Sequence, residues 1–554
     1  LALGLAGALN HVTGVALMIL CGGAGLVDLF LAGRTAAISS AQQDRRWLWL
    51  ALLIVPFAAL ALVGTNIVPA VLWKPVDPHP YDVLCYHLQV PREWYELGRI
   101  MPLKHNVYSF FPFAAEMNYL LAMHLRGGPW AGMYLAQLMS FIYMGLAAST
   151  VCAAMDNFRA GMIATIAMVT VPWTTMLASI AYNESALLFY ESLAAAWFIR
   201  ALSVRTNLIR DMTIAGAMAG LAASVKYTAA PLVLIALPLA ASVALLLQRG
   251  TIAIKRILAG AACAVFAGLI TFSPWLIRNT IWAGNPVFPL AMRQLGHAHF
   301  AAEQVERFER AHRAPENETS ISSRLRAFFH EILMDWRFGW ILIPLAVTSA
   351  ALNRRRPQII FLSVAVVTIV FFWLTLTHLM ARFFVPAIPL LAMMVGFLPV
   401  GQGRSLFTAA AVAILATVSF IALHVHFEKS LDDSNAYQGL FRLRDFSELQ
   451  PELADIGKTG GKLALIGDAQ AFYRPLPMSR LQYRSIFDVV VPPGKNIVDA
   501  WLGHDLDELR KDHYILLNPG ELNRLSQTYY GIPSVPPQWQ RQADQTIILP
   551  PLKN

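Results

Sequence analysis

The stretch "IIFLSVAVVTIVFFWLTL", residues 359–376, decides the class of fold, because none of its 18 residues carries a charge. An α-helix rises about 1.5 Å per residue, so a run of this length crosses most of the roughly 30 Å hydrocarbon core of a bilayer. Three arginines stand just before it, at Arg354, Arg355 and Arg356. Since basic residues collect in cytoplasmic loops, the stretch predicts a membrane-spanning helix that starts in the cytoplasm and ends outside.

Similar apolar runs recur along the chain. The protein is 56% hydrophobic and 14% charged, whereas soluble domains carry about 25% charged residues. The runs fall at 1–32, 47–72, 129–154, 160–178, 184–202, 209–225, 229–247, 257–281, 338–352, 358–376, 383–400 and 405–425. We therefore expect a polytopic α-helical membrane protein with about twelve spans. A shorter apolar stretch, 107–125, contains Pro112 and Glu116 and predicts a re-entrant or interfacial helix.

The distribution of basic residues sets the orientation. One set of alternate loops holds Arg34, Arg45, Arg46, Arg159, Arg200, Arg205, Arg210, Arg249, Lys255, Arg256, Arg354, Arg355, Arg356 and Arg404, and the opposite turns hold little besides Lys226 and Arg382. The first set is predicted to be cytoplasmic. Residues 73–128, residues 282–337 and everything after 426 then lie outside. The net charge of +9 follows from this loop pattern, and no nucleic-acid partner is expected.

The composition changes in the tail. Fifteen of the 34 acidic residues follow position 430, and the spanning runs stop. The segment "KLALIGDAQ", 462–470, predicts a buried strand and a turn into a helix, and "HYILLNPGEL", 513–522, predicts a second such unit. We expect residues 1–429 to form the transmembrane module and residues 430–554 to form a small extracytoplasmic α/β domain.

The segment "HPYDVLCYHLQVPREWYELGRI", residues 79–100, combines ionisable groups with apolar surface. Pro80 and Pro91 suit helix starts and Gly98 suits a helix end, so the pattern predicts two short amphipathic helices along the membrane interface. Asp82 falls in the first turn of the first helix. It either complements the helix dipole, which contributes about 0.3–1 kcal/mol, or belongs to a site.

Two carboxylates lie clearly within a predicted span, at Glu184 and Glu191. Being seven residues apart, they share one helical face and lie about 10 Å apart along the axis. Ionisable groups at membrane depth are costly and often functional. The alternatives are that Glu184 contacts water at the outer end of its helix, and that Glu191 is a protonated packing residue.

Two cations break the charge asymmetry of the loops, Lys226 and Arg382. A cation at the outer end of a span is well placed to hold a phosphate at the level of the lipid headgroups. The alternative is that each side chain snorkels to the interface. Arg278, next to Asn279, adds a third polar cluster on the same side, and His378 is a candidate for a polar pocket near Arg382.

Five segments together resemble the bacterial polyprenol-phosphate-dependent glycosyltransferases of the GT-C superfamily, which include mannosyltransferases and aminoarabinose transferases. They are "YDVLCYHLQVPREWYELGRI" (81–100), "YNESALLFYESLAAAWFIRAL" (182–202), "GLAASVKYTAAPLVL" (220–234), "SPWLIRNTIWAGNPVFPL" (273–290) and "ARFFVPAIPLLA" (381–392). The tail segments "LIGDAQAFY" and "HYILLNPGELNRL" are similar to the small outer domain of such proteins. The resemblance extends from about residue 47 to 530, and the order and spacing of the segments make it specific.

The resemblance implies an enzyme of the bacterial inner membrane that transfers a sugar from a polyprenyl-phosphate donor to an acceptor hydroxyl on a glycan, lipid or protein, at the extracytoplasmic face. Asp82 is then the base or a metal ligand, and Glu184 is a second catalytic acid. Lys226 and Arg382, with Arg278, bind the donor phosphate. The residues expected to position the substrates are Tyr86, His87, Glu116, Asn183, Glu191 and His378.

Some points stay open at the level of sequence. Many relatives carry Asp at the second acidic site, where this chain has Asn183 and Glu184, so the use of a divalent cation is undecided. Sharing a fold does not fix an activity. A catalytically inactive scaffold subunit of a larger membrane complex is the first alternative to a transferase. A transporter is the second.

Overall fold

The structure is a computed structural model that describes residues 1–36, 45–69, 71–73, 81–248, 252–314, 318–398, 404–433, 451–491, 508–518 and 547–552. The helices are α1 (Ala2–Leu5), α2 (His11–Ala36), α3 (Val55–Gly64), α4 (Gln89–Leu97), α5 (Glu116–Arg126), α6 (Pro129–Ala153), α7 (Phe158–Val169), α8 (Pro172–Ala178), α9 (Glu184–Val204), α10 (Leu208–Val225), α11 (Ala236–Leu246), α12 (Ile254–Ala283), α13 (Met292–Leu295), α14 (Ala302–Ala311), α15 (Ile321–Phe328), α16 (Leu342–Leu352), α17 (Pro357–Leu376), α18 (Ala387–Gly396), α19 (Arg404–Asp433) and α20 (Pro451–Lys458). The strands are β1 (Lys462–Ile466), β2 (Leu481–Gln482), β3 (His513–Leu517) and β4 (Ile547–Leu549).

Six of the described helices are long and apolar enough to cross a membrane, namely α6, α9, α10, α12, α17 and the Phe407–Ser430 part of α19. Helices α7 and α8 form a seventh span if they count as one, although the chain bends by 72° between them. Five shorter apolar helical stretches accompany them. The prediction of a multi-pass membrane protein is confirmed. The predicted number of about twelve spans is not confirmed, because only six or seven described helices are long enough to cross a membrane. Breaks such as the one before Pro172 shorten several of the predicted spans.

Helices α10 and α12 pack closely because glycines line their contact. A Cβ atom on Gly216 would lie 1.9 Å from the carbonyl oxygen of Ala264, and one on Gly220 would lie 2.0 Å from that of Gly268. Small residues let the backbones of membrane helices approach one another in this way. The C-terminal ends of α10 and α12, and the N-terminal end of α9, thereby meet at one end of the bundle.

The segment that follows residue 80 forms a π-helical turn, Val83–His87, and then α4, which ends where Gly98 takes a φ of 68°. Two short helical pieces were predicted here and are present, although Pro80 lies outside the described residues. The expected position of α4 along the membrane interface stays a prediction. Its residues from Gln89 to Trp94 are buried within the protein, and Arg92 donates to the carbonyl oxygens of Phe472 and Leu476 in the tail.

The tail forms a small four-stranded sheet in the order β2-β1-β3-β4. Strand β1 pairs in parallel with β2 and β3, and β4 pairs antiparallel with β3. Both predicted strands, β1 and β3, are therefore confirmed. The helix expected directly after β1 is absent from residues 467–477, which are described as turns and irregular backbone.

Candidate active site

Asp82 and Arg382 form an ion pair across 300 residues of chain. Asp82 directly precedes the π-helical turn, and Arg382 lies in a short 3-10 helix, Ala381–Phe384, that follows α17. The Arg382 guanidinium donates to Asp82 Oδ2 at 2.8 Å. The Asp82 side chain is 25% exposed and the Arg382 side chain is 9% exposed. The ion pair is therefore partly shielded from solvent, but a ligand can still reach it.

Glu184 and Lys226 form a second ion pair beside the first. Lys226 Nζ donates to Glu184 Oε1 at 2.5 Å, and Arg382 Nε lies 3.6 Å from the same oxygen. The pair forms because Glu184 begins α9 and Lys226 directly follows α10, and these neighbouring helices are antiparallel. Asp82, Glu184, Lys226 and Arg382 therefore make one group, which we call the charge cluster.

A second polar group, the polar triad, lies beside the charge cluster and consists of His87, Glu116 and Asn183. Glu116 Oε1 lies 2.6 Å from His87 Nδ1 and accepts from Asn183 Nδ2 at 3.1 Å. All three side chains are buried. In the described part of the chain, His87 Nε2, Glu116 Oε2 and Asn183 Oδ1 have no hydrogen-bond partner.

Tyr182 connects the two groups. Its ring packs edge-on to the His87 ring at 5.0 Å between centroids, and the Arg382 guanidinium lies 4.7 Å from its centroid. Tyr182 is itself buried. The charge cluster and the polar triad are thus one continuous site built from five separate segments of the chain.

The charges of the site balance one another. Burial alone would raise the pKa of Asp82, but Arg382, His87 and Lys226 outweigh it and hold this pKa below its usual range. Asp82 is therefore ionised at neutral pH. Two carboxylates face two cations in the charge cluster, so a bound phosphate has to compete with Asp82 and Glu184 for Lys226 and Arg382.

Tyr86 and His378 border the charge cluster. Tyr86 is buried and stacks on Tyr108 at 4.5 Å between centroids, and burial together with the charge of Asp82 raises its pKa well above the usual value. The His378 ring lies 4.9 Å from the Phe383 ring. Burial, aided by His312, Arg382 and Lys226, lowers the pKa of His378 to about 3. Both side chains are therefore uncharged at neutral pH.

Arg278 lies elsewhere. Its guanidinium donates to the carbonyl oxygens of Phe110 and Phe111 at 2.7 and 2.8 Å, and it is held between the rings of Trp275 and Trp282. None of its described contacts is with a residue of the charge cluster, although Asn279, which accepts from Arg278, donates to the hydroxyl of Tyr227 next to Lys226. Its assignment to the donor phosphate stays a prediction, whereas its contacts show that it anchors the 107–111 segment to α12.

Glu191 also lies apart from the charge cluster. It is two turns deeper on α9, about 10 Å from Glu184 along the helix axis. Its side chain is fully buried, and within the described ranges neither carboxylate oxygen has a hydrogen-bond partner. The expected role of Glu191 in positioning a substrate stays a prediction, without a described contact to Glu184 or Lys226.

A divalent cation does not fit the charge cluster as it stands. Among the residues that the structure describes, no group of three or more His, Cys, Asp and Glu side chains could hold a metal ion. The carboxylates of Asp82 and Glu184 instead receive hydrogen bonds from Arg382 and Lys226. Arg382 and Lys226, which already hydrogen-bond to these carboxylates, repel a metal cation that approaches them. We therefore derive no step through a metal.

Sequence reasoning missed His312 as a neighbour of this site. Its ring lies 6.0 Å from the His378 ring and stacks on Phe308 at 4.0 Å. His312 and His378 are far apart in the chain, so the sequence around His312 gave no indication that it lies near the site. It was only one histidine in the 282–337 loop, which was predicted to lie outside.

Comparisons with known proteins identify the architecture. No family model and no curated protein sequence matches the chain. The crystal structure of ArnT from Cupriavidus metallidurans bound to undecaprenyl phosphate matches with a TM-score of 0.58 at 16% identity, over 87% of this chain and 95% of that one. The chain has the ArnT fold. The apo state of the same ArnT matches with a TM-score of 0.56 at 15% identity, over 87% of this chain and 94% of ArnT.

A weaker match is the archaeal oligosaccharyltransferase AglB from Archaeoglobus fulgidus in complex with an inhibitory peptide and a dolichol-phosphate. It has a TM-score of 0.47 at 12% identity, over 87% of this chain and 71% of AglB. The ArnT matches confirm the fold that the sequence resemblance implied.

Proposed function

We propose that the protein is a membrane glycosyltransferase that moves a sugar from a polyprenyl-phosphate donor to an acceptor hydroxyl. The observation that carries this proposal is the charge cluster, in which distant segments bring two carboxylates and two cations together at one end of the helical bundle. The ArnT fold supports the donor class, since one ArnT structure binds undecaprenyl phosphate.

Lys226 and Arg382 are the residues we assign to the donor phosphate. A polyprenyl phosphate that leaves the sugar carries negative charge, and fixed cations stabilise that charge as it develops. Lys226 offers a compact ammonium group and Arg382 a planar guanidinium that can bind two phosphate oxygens. Glu184 holds Lys226 in place before the donor arrives.

Asp82 is the residue we assign as the base. The acceptor hydroxyl gives its proton to Asp82 while its oxygen attacks the anomeric carbon of the sugar. The bond from that carbon to the phosphate oxygen breaks, and its electron pair stays on the polyprenyl phosphate. Competition of the donor phosphate for Arg382 frees Asp82 Oδ2 for this task, so donor binding and base activation are coupled.

The remaining predicted residues are assigned to positioning. The polar triad of His87, Glu116 and Asn183 orients Tyr182, which contacts Arg382. A buried polar atom without a partner costs about 1–3 kcal/mol, so the three unpaired atoms of the triad favour a hydroxylated ligand or water there. Tyr86 and His378 line the approach to Asp82 and Lys226, and Glu191 is the deepest candidate.

The proposal includes a location and a domain plan. We place the protein in the bacterial inner membrane, with residues 1–429 as the membrane module, outer loops at 73–128 and 282–337, and residues 430–554 as an extracytoplasmic α/β domain. The positive-inside pattern of the loops supports this orientation. The six or seven long spans and the five shorter apolar helices are consistent with about twelve crossings.

Binding of undecaprenyl phosphate to the full chain in lipid nanodiscs tests the proposal. We expect Lys226→Ala and Arg382→Ala each to weaken binding about tenfold or more, as expected for loss of a charge-assisted hydrogen bond. Arg326→Ala is the matched control, because Arg326 is an exposed cation on α15. Equal affinities in all four proteins would contradict the proposal. Binding without transfer from any lipid-linked sugar would favour the inactive scaffold subunit.

A further inference from the structure

His87 has a ring nitrogen to which the proposed reaction gives no task. Its other nitrogen, Nδ1, lies 2.6 Å from Glu116 Oε1. Since a carboxylate oxygen accepts hydrogen bonds, Nδ1 carries a hydrogen and donates it, which leaves Nε2 as the basic nitrogen of the neutral ring. Both side chains are 1% exposed, and Nε2 has no hydrogen-bond partner among the residues that the structure describes. A carboxylate that fixes a histidine ring in this way prepares the opposite nitrogen to take up a proton.

A π-helical turn brings His87 to the side of the chain that carries Asp82. The turn spans Val83–His87 and directly follows Asp82, and the Leu88 backbone N–H donates to the carbonyl oxygen of Val83 at 2.9 Å. In an α-helix, residues five positions apart point about 140° away from each other. Hydrogen bonds between residues five apart widen the turn, so the fifth residue returns toward the face of the first, and such turns are frequent at functional sites.

Tyr182 limits the separation of Asp82 and His87 in space. The Tyr182 ring packs against the His87 ring at 5.0 Å and against the Arg382 guanidinium at 4.7 Å. Arg382 in turn donates to Asp82 Oδ2 at 2.8 Å. The charge of His87 also acts on Asp82, since it is one of the causes that lower the Asp82 pKa. His87 and Asp82 therefore border the same part of the site, with room for a bridging water at the unpaired Nε2.

The ion pair of Asp82 and Arg382 requires that Asp82 lose the proton it takes from the acceptor. A protonated Asp82 carries no charge, so the pair seen in the structure forms again only after that proton has left. The lowered pKa of Asp82 means that it gives up a proton readily. An imidazole, with an ordinary pKa of about 6.5, is a stronger base than a carboxylate, with one of about 3.9. Transfer of the proton from Asp82 to an imidazole is thus favourable.

We propose that His87, held by Glu116, is the proton relay of the sugar transfer. The acceptor proton moves first to Asp82 Oδ2, and then through one water molecule to His87 Nε2. The water gives one of its own protons to Nε2 as it receives the proton of Asp82, so it is unchanged. The imidazolium that forms is stabilised by the Glu116 carboxylate, and it releases its proton to water when the product leaves. The relay rests on the proposed function, because it removes the proton that Asp82 takes up there.

Replacement of His87 by Ala, followed by rescue with small molecules, tests the relay. In membrane vesicles that hold the native donor and acceptor, we expect the rate of sugar transfer to fall about tenfold or more. Added imidazole should restore most of this loss, whereas pyrazole, which has a similar shape but is a much weaker base, should not. A structural role would be restored equally by both rings. Equal rescue by both molecules, or full turnover without either, would overturn the proposal.

His330→Ala is the matched control. His330 is an exposed histidine that lies in another π-helical turn, Phe329–Leu333. We expect His330→Ala to transfer sugar as the wild type does and not to respond to imidazole. A response to imidazole as large as that of His87→Ala would show a general effect of the added base and would overturn the proposal.

Binding of undecaprenyl phosphate separates the relay from the proposed function. We expect His87→Ala in nanodiscs to bind this lipid within about threefold of the wild type. Failure of the wild type to bind it would overturn the proposed function. If the wild type binds the lipid and transfers sugar, and His87→Ala does so at the same rate, the relay alone is overturned.

Glu116→Gln tests the second member of the relay without removing the ring. The amide oxygen still accepts from His87 Nδ1, but it carries no charge to stabilise the imidazolium, so we expect transfer to slow about tenfold. Because Glu116 acts through His87, the double variant with His87→Ala should be no slower than His87→Ala alone. Effects of the two changes that multiply would overturn the coupling of Glu116 to His87.

Discussion

At the scale of single residues, Asp82 is held by an ion pair and is still partly open to solvent. The Arg382 guanidinium contacts only Oδ2 among the described contacts of this carboxylate, and the side chain remains 25% exposed. An aspartate that merely complemented a helix dipole would not need a partner 300 residues away. The ion pair therefore favours a site role over the dipole alternative that the sequence left open.

Replacement of Asp82 by Asn tests its assignment as the base. The amide preserves the shape of the side chain but cannot accept the proton of the acceptor hydroxyl, so we expect kcat/KM for sugar transfer to fall about 100-fold or more. The affinity for undecaprenyl phosphate should rise, because the phosphate no longer competes with a charged Asp82 for Arg382. Asp512→Asn, a change at an exposed aspartate of the tail, is the control. Full turnover in Asp82→Asn would show that another group is the base.

The lowered pKa of Asp82 predicts how stability depends on pH. A carboxyl whose pKa is lower in the folded state stabilises the fold above its unfolded pKa of about 3.9, and this stability is lost as the pH falls through the folded pKa. The difference in Tm between the wild type and Asp82→Asn should stay constant from pH 7 to about pH 5. It should shrink below about pH 4. A difference that grew in acid would mean that the Asp82 pKa is raised instead.

Replacement of Arg278 by Ala separates an anchor from a phosphate ligand. The buried guanidinium donates to the carbonyl oxygens of Phe110 and Phe111. Its loss leaves the Phe111 oxygen without this donor, while the Phe110 oxygen keeps the hydrogen bond from Asn279, so the free energy of unfolding should fall by about 1–3 kcal/mol. The dissociation constant for undecaprenyl phosphate should stay within about threefold of the wild type. If Arg278→Ala weakened the binding of undecaprenyl phosphate as much as Lys226→Ala does, Arg278 would be a ligand of the donor phosphate after all.

At the scale of elements, the close contact of α10 and α12 determines where Lys226 lies. Lys226 directly follows α10, so a displacement of α10 by α12 shifts the Lys226 ammonium group relative to Glu184 at the start of α9. The contact depends on the glycines Gly216 and Gly220, whose absent side chains make room for the backbone of α12. This dependence joins helix packing to the chemistry of the charge cluster.

Replacement of Gly216 by Ala tests that dependence. The added methyl group has no room beside Ala264, so we expect a loss of about 1–3 kcal/mol in the free energy of unfolding and a weaker affinity for undecaprenyl phosphate. Gly145→Ala on α6 is the matched control, because nothing lies within 4 Å of a Cβ atom there. Thermal unfolding in nanodiscs measures both variants. Equal stabilities would show that the contact tolerates an added side chain.

At the scale of the whole molecule, the sequence predicted the class of fold from its long uncharged runs, and it named the four residues of the charge cluster from isolated charges and from the resemblance to a known family. The two cations on the side that otherwise avoids Lys and Arg were the clearest signal, and the structure places Lys226 and Arg382 side by side. The pairing of Asp82 with Arg382 could not be predicted, since it depends on the short helix Ala381–Phe384 lying beside Asp82.

Other features lay beyond sequence reasoning for a similar reason. The amphipathic pattern of α4 did not indicate that Arg92 binds the carbonyl oxygens of Phe472 and Leu476 in the tail. His312 became a neighbour of His378 only through the folding of the 282–337 segment. Local patterns report the environment of one element, whereas these contacts depend on which distant element packs against it.

The most direct test is an experimental structure of the full chain in nanodiscs with undecaprenyl phosphate bound. We predict that the phosphate group lies within hydrogen-bond distance of both Lys226 Nζ and the Arg382 guanidinium, about 2.7–3.2 Å, with the contact between Arg382 and Asp82 lengthened. A phosphate bound elsewhere, with the ion pairs of Arg382 to Asp82 and Lys226 to Glu184 intact, would contradict the assignment of the charge cluster as the donor site.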